Sequence, residues 1–157
     1  MNCCGFETSP EGGKKTVTTF DSLPCQAQSH PVTVRTMLLM LKPEFFDQVG
    51  DREYSFCASQ DCPVVYFSED RRFMLDDLRV RVGLKEKGDA IPLCYCFGFS
   101  KEDVREEIRT QGRTTIFHRI KSLVKNAMCA CAERNPSGAC CLGDVARVVE
   151  RLMHEKK

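Results

Sequence analysis

Leu93-Cys94-Tyr95-Cys96-Phe97 and Cys129-Ala130-Cys131-Ala132-Glu133-Arg134-Asn135-Pro136-Ser137-Gly138-Ala139-Cys140-Cys141 together hold six of the eleven cysteines in this 157-residue chain. Two thiols at i and i+2 on an extended loop project to one side and can grip one metal. Four thiolates gathered from two such loops suit a 2Fe-2S cluster, and they suit a structural zinc equally. Spacing alone does not choose between these metals. Cys131 and Cys141 are separated by Asn135-Pro136-Ser137-Gly138, a turn sequence expected to present backbone N–H groups toward cluster sulfur. Cys129 and Cys140 lie beside these cysteines as alternative ligands.

Between the two clusters the pattern is helical, which gives the thiol loops a rigid spacer. Ser100 is expected to cap a helix with Asp103 at its third position, Gly112 to end it, and Thr114 or Thr115 to start the next. Ile116, Ile120, Leu123 and Val124 then fall on one apolar face. Asp144 is expected to cap a last helix with Val145, Val148, Val149 and Leu152 as its stripe.

Upstream of Gly88-Asp89-Ala90-Ile91-Pro92, which reads as a junction, the texture is β-like. Val32 and Val34 alternate with polar neighbours, as does Tyr54-Ser55-Phe56, and Val64-Val65-Tyr66-Phe67 is a β-branched and aromatic run. Pro43 suits the first turn of a short helix, and Asp76-Asp77 a turn. Cys57 and Cys62 flank a loop that lets both sulfurs face one ion, with Cys25 available from an earlier turn. His30 is the best nearby nitrogen for the fourth position, ahead of Ser22, Asp21 and Asp61. Residues 1–20, rich in glycine and threonine, read as a flexible arm carrying the adjacent thiols Cys3 and Cys4, a pair suited to Cu(I).

The pattern as a whole is α+β, divided into the arm at 1–20, a β-rich domain at 21–88 and a helical domain at 89–157. The formal charge of +1, from 23 basic and 22 acidic side chains well mixed, gives no footprint for nucleic acid or an anionic membrane. No apolar run approaches a membrane span, and Met1-Asn2-Cys3-Cys4-Gly5 lacks the features of a secretory signal, so a cytoplasmic protein is expected. In that reducing compartment an odd number of cysteines favours metal ligation over disulfides. An enzyme is not expected. His118 and His154 fall in helices away from any catalytic spacing, and Gly12-Gly13-Lys14-Lys15 lacks the rest of a phosphate-binding loop.

Three stretches carry a resemblance: Leu93 to Phe97, Asn135 to Val145, and Tyr54-Ser55-Phe56-Cys57 with Asp61-Cys62-Pro63-Val64-Val65-Tyr66-Phe67. Their order and spacing, from about Ser22 to Val145, resemble the N-terminal part of the CopZ-type iron-sulfur copper chaperone family. The resemblance implies a small zinc-binding β-rich domain followed by a small helical 2Fe-2S-binding domain similar to bacterioferritin-associated ferredoxin. It implies Cys94, Cys96, Cys131 and Cys141 as cluster ligands, and Cys25, Cys57 and Cys62 as zinc ligands.

In the family the first zinc motif often reads Cys-Pro-x-Cys, of which Ser22-Leu23-Pro24-Cys25 keeps only the second cysteine. The family's Met-x-Cys-x-x-Cys copper loop is not found among the 157 residues either, and Met128-Cys129-Ala130-Cys131 has a different spacing. Cys3-Cys4 is then the remaining thiol pair for Cu(I). The expected function is a metal-binding iron-sulfur protein that carries zinc, reduces copper and handles it, with metal ions and a redox partner or copper transporter as partners. A ferredoxin-like electron-transfer module with no copper role is the competing expectation.

Overall fold

Thr33 sets the direction of the first segment. In the computed structural model, which describes residues 28–156, its side chain accepts a hydrogen bond from the Thr36 N–H at 3.2 Å and caps helix α1 (Val34–Met40). The β-branched run Val32-Thr33-Val34 reads as strand throughout, but only Val32 is strand, closing β1 (Ser29–Val32). A threonine cap offers the helix a partner for an otherwise orphaned amide, and that local bond outweighs the β propensity of Val34.

Strands β2 (Tyr54–Cys57), β3 (Val64–Phe67) and β4 (Arg72–Met74) form where the apolar runs place them, in an antiparallel sheet ordered β1-β2-β3-β4. A 3-10 turn at Pro43–Phe45, opened by Pro43, leads into the short helix α2 (Phe46–Val49), and another 3-10 turn covers Leu75–Asp77. The register sets His30 opposite Phe56, Phe56 opposite Tyr66, and Tyr66 opposite Phe73. Side chains paired in this way share a face of the sheet. Met37, Met40 and Leu41 from α1 join that face, with Tyr54, Val49, Val65, Leu78 and Val82 completing the core. Cys57 points the other way, into a separate small cluster with Cys62, Val64, Phe67 and Met74.

The second half opens with a two-stranded ribbon, β5 (Pro92–Cys94) against β6 (Phe99–Ser100). Helices α3 (Lys101–Gln111), α4 (Ile116–Lys125), α5 (Cys131–Arg134) and α6 (Leu142–Glu155) follow. The Ser100 hydroxyl accepts from the Asp103 N–H at 3.2 Å, while the Asp103 carboxylate accepts from the Ser100 N–H at 2.7 Å, a reciprocal cap that starts α3. Gly112, at φ 75°, ends it. The last helix starts earlier than its acidic residue suggests: Cys141 is the cap and Asp144 lies within the first turn. The carboxylate still favours that end of the helix dipole. Val104, Ile108, Ile116, Ile120, Val145 and Leu152 make the core of this half, and Cys94 and Cys141 are part of it.

The two halves meet at Gly83. A Cβ there would lie 2.4 Å from the carbonyl oxygen of Pro92, and the Gly83 N–H donates to the Tyr95 hydroxyl at 2.9 Å. Backbone faces backbone, so neither side can give way by changing rotamer. Gly83→Ala is expected to cost about 1–3 kcal/mol, the range of overpacking a close contact, read as a lowered urea midpoint with unchanged slope.

Candidate metal centre

Six cysteines of the second half approach one another, and four of them form two thiol pairs. Cys96 Sγ lies 3.7 Å from Cys131 Sγ, and the Cys141 thiol is hydrogen-bonded to Cys94 sulfur. Each pair therefore takes one member from each loop, rather than both from the i, i+2 run. The cause is the hairpin: Cys94 closes β5, and the Gly98 N–H returns to the Cys94 carbonyl at 2.8 Å, so the chain reverses between the two thiols. Cys94 and Cys141 are buried, Cys96 and Cys131 half-buried. Of the alternatives, Cys140 is exposed and Cys129 half-buried, and it is Cys141 that packs into the core beside Cys94.

The N–H groups aimed at sulfur differ from those expected. The Asn135–Gly138 turn spends its amides internally: Ser137 N–H donates to Asn135 Oδ1 at 3.0 Å, Gly138 N–H to Asn135 O at 2.8 Å, and Ala139 N–H to Ser137 Oγ at 3.2 Å. Sulfur instead receives the Ala130 N–H, at 3.2 Å from Cys96 Sγ, the Phe97 and Cys96 amides at Cys94, and the Cys141 amide at Cys131. Ala127, at φ 56°, turns the chain out of α4 to begin this segment.

Crowding sorts the thiols by acidity. The hydrogen bond from Cys141, with the Phe97 and Cys96 amides, pulls Cys94 down from 9.0 to about 6 against the effect of burial. Cys141, donating in that bond and also buried, is pushed well above its ordinary range. Burial, then the neighbouring Cys96, lifts Cys131 to about 12.

The other thiol pair lies on the sheet. Cys57 and Cys62 are both buried and hydrogen-bonded to each other, and Cys62 also accepts the Val64 N–H. Burial raises Cys62 to about 11, and the nearby Lys85 ammonium works in the opposite direction. Lys85, buried although it opens the charged run Lys85-Glu86-Lys87, donates to Ser59 O at 2.7 Å and Cys62 O at 3.0 Å, fastening the loop between the cysteines. The structure does not bring His30 to this pair. His30 and Cys57 fall on opposite faces because their register positions differ by one, and His30 Nε2 lies 3.0 Å from Ser137 O. Cys25, with Ser22, Asp21, Cys3 and Cys4, lies outside the described residues.

Among the described residues, no three His, Cys, Asp or Glu side chains gather about one point as a mononuclear metal site. Two separate pairs are nevertheless the donor set a dinuclear centre requires, one pair to each metal. Thiolates sharing one tetrahedral metal at a bond length near 2.3 Å lie about 3.8 Å apart, which the Cys96–Cys131 pair already matches. The residues present fit a 2Fe-2S group.

Metal-free protein gives a test with a worked sign. Between about pH 6 and 9 the unfolded chain keeps the Cys94 proton that the folded chain has released, so stability rises with pH. From pH 9 to about 11, folded Cys62 and Cys131 keep protons that the unfolded chain gives up, so stability falls. Urea unfolding under reductant and chelator is expected to show the thiol contribution greatest near pH 9.

Residues 24–79 match the family model described as a zinc binding domain, zf_CopZ. A copper chaperone CopZ from Archaeoglobus fulgidus is 32% identical over 105 residues, covering 67% of this chain and 50% of that protein. The chain thus spans about half the length of the curated relative it matches. The X-ray structure of the Archaeoglobus fulgidus CopZ N-terminal domain matches with a TM-score of 0.67 at 27% identity, over 79% of this chain and 93% of that one. That coverage is too large to be contained in residues 24–79, so the likeness reaches into the helical half. Among the described residues no helix is long and apolar enough to cross a membrane.

Proposed function

Because residues 24–79 match the family model of a zinc binding domain, zf_CopZ, we propose that the chain is a cytoplasmic, non-enzymatic copper-handling protein with a zinc site in its sheet half and a 2Fe-2S site in its helical half. The observation that carries the reading is the crossed pairing of Cys96 with Cys131 and of Cys94 with Cys141. Idle thiols gain nothing from being brought together in pairs in a core that also contains Val145 and Ile120. A cluster bound there would supply one electron at a time, enough to take Cu(II) to Cu(I), the state thiolates prefer. The chain's own part is to orient the four sulfurs, direct amides at them and keep water from Cys94 and Cys141.

For zinc, Cys57 and Cys62 provide two thiolates. The reading takes Cys25, three residues before Gln28 in the sequence, as the third. His30 has no part in this assignment. Cu(I) is the cargo, and a copper transporter and an electron donor are the partners the reading calls for.

Protein purified without oxygen is expected to absorb in the visible, to give the paramagnetic resonance of a reduced 2Fe-2S centre, and to contain zinc. It is expected to take Cu(I) from a competing chelator. Colourless protein with zinc alone would remove the iron-sulfur half of the reading, and absence of Cu(I) uptake would remove the copper half.

A further inference from the structure

The sheet half holds the second cysteine loop directly. Thr36 Oγ1 donates to Ala132 O at 2.6 Å, the Tyr66 hydroxyl to Pro136 O at 2.6 Å, and His30 Nε2–H to Ser137 O at 3.0 Å. Gly138, at φ 68°, lies so close that an added Cβ would be 3.4 Å from both Thr36 and Val32. Thr36 and Tyr66 are almost wholly buried, and hydrogen bonds made away from water are costly to lose. Burial also pushes the Tyr66 phenol well above its ordinary range, keeping it a donor. The rings behind it are fixed in turn, with Phe56 centred 6.1 Å from Tyr66 and 5.4 Å from His30.

The segment gripped in this way begins directly after Cys131 and ends shortly before Cys141. Since Cys131 pairs with Cys96 and Cys141 with Cys94, the carbonyls held by the sheet fix the spacing between the two thiol pairs. The first cysteine loop is tied down similarly, because the Tyr95 hydroxyl donates to Arg81 O at 2.5 Å and accepts from the Gly83 N–H.

We propose that Thr36, Tyr66 and His30 are positioning residues for the four-thiol centre, so that the sheet half determines how long the helical half retains its metal. The inference rests on the iron-sulfur reading above and extends it, since it makes the helical half dependent on side chains outside it. None of the three touches sulfur. Each acts through a backbone carbonyl of the loop that bears Cys131 and Cys141.

The test uses the full chain reconstituted with iron and sulfide, comparing wild type with Tyr66→Phe, Thr36→Val, His30→Leu and His30→Gln. Loss of visible absorption to an iron chelator and the line shape of the reduced paramagnetic signal are followed beside the urea midpoint. Tyr66→Phe and Thr36→Val are expected to bind iron at the wild-type ratio but to lose it about tenfold faster, the lower end of the effect of removing a group that orients a ligand. Their resonance lines should broaden. His30→Gln, which keeps an N–H donor, should retain the wild-type lifetime, and His30→Leu should not.

Wild-type decay and line shape in both Tyr66→Phe and Thr36→Val would overturn the inference and leave the cluster reading standing. Wild-type protein that takes up no iron would overturn both. Should Tyr66→Phe fail to fold, Thr36→Val decides alone, since valine keeps the shape of the buried side chain.

Discussion

Cys131→Ser is expected to abolish the visible colour and the iron content of the protein, while Cys140→Ser, nine residues along the same loop, leaves both intact. The two cysteines differ in placement. Cys131 Sγ lies 3.7 Å from Cys96 Sγ and accepts the Cys141 amide, whereas Cys140 is exposed. A serine hydroxyl is a poorer ligand for iron and does not ionise near neutral pH, so one pair is left a single donor short. Iron per chain after reconstitution reads the difference. Equal iron in the two variants would mean that the crossed pairs are not the ligand set.

Phe56→Ala should have the largest effect on stability. Its ring is wholly buried, packs against Tyr66 and His30, and has the Lys85 ammonium 5.9 Å from its centre. Truncating a buried phenylalanine costs about 3–5 kcal/mol, a large part of the roughly 5–15 kcal/mol that holds a domain folded. The damage should extend beyond the sheet. Cys57 is the next residue in β2, and the rings that grip the second cysteine loop lose their backing. Zinc content and cluster lifetime should therefore fall together in this variant, measured by elemental analysis and by chelator-driven bleaching.

Much of this was readable from residue patterns because the signals were local. Ser100 with Asp103, Gly112 after α3, and the runs at Tyr54 and Val64 each carry their own instruction, and the structure follows them. The clustering of Cys94, Cys96, Cys131 and Cys141 was readable too, since spacing and turn residues were enough to suggest it.

What escaped was set by contacts between distant segments. The β5–β6 ribbon is too short to alternate, so the Cys94-Tyr95-Cys96 run reads as open loop and the crossed pairing stays hidden. His30 looked like a ligand because Cys25 is near in sequence. Its face of the sheet depends on pairing with Phe56, which one strand alone does not reveal. Tyr66, Thr36 and Tyr95 gave no sign of their role beyond being polar groups in apolar surroundings, and Lys85 was disguised by its charged neighbours.

The crossed pairs also bear on the timing of synthesis. A chain emerging N-terminus first presents Cys57 and Cys62 together, with their strands, long before residue 131 has been made, and domains tend to fold in that order at about 5–20 residues per second. Cys94 and Cys96 must wait, each without its mate, until residues 141 and 131 have been made. The sheet half can thus begin to gather its thiols on the ribosome, whereas the four-thiol centre can assemble only after residue 141 has been made.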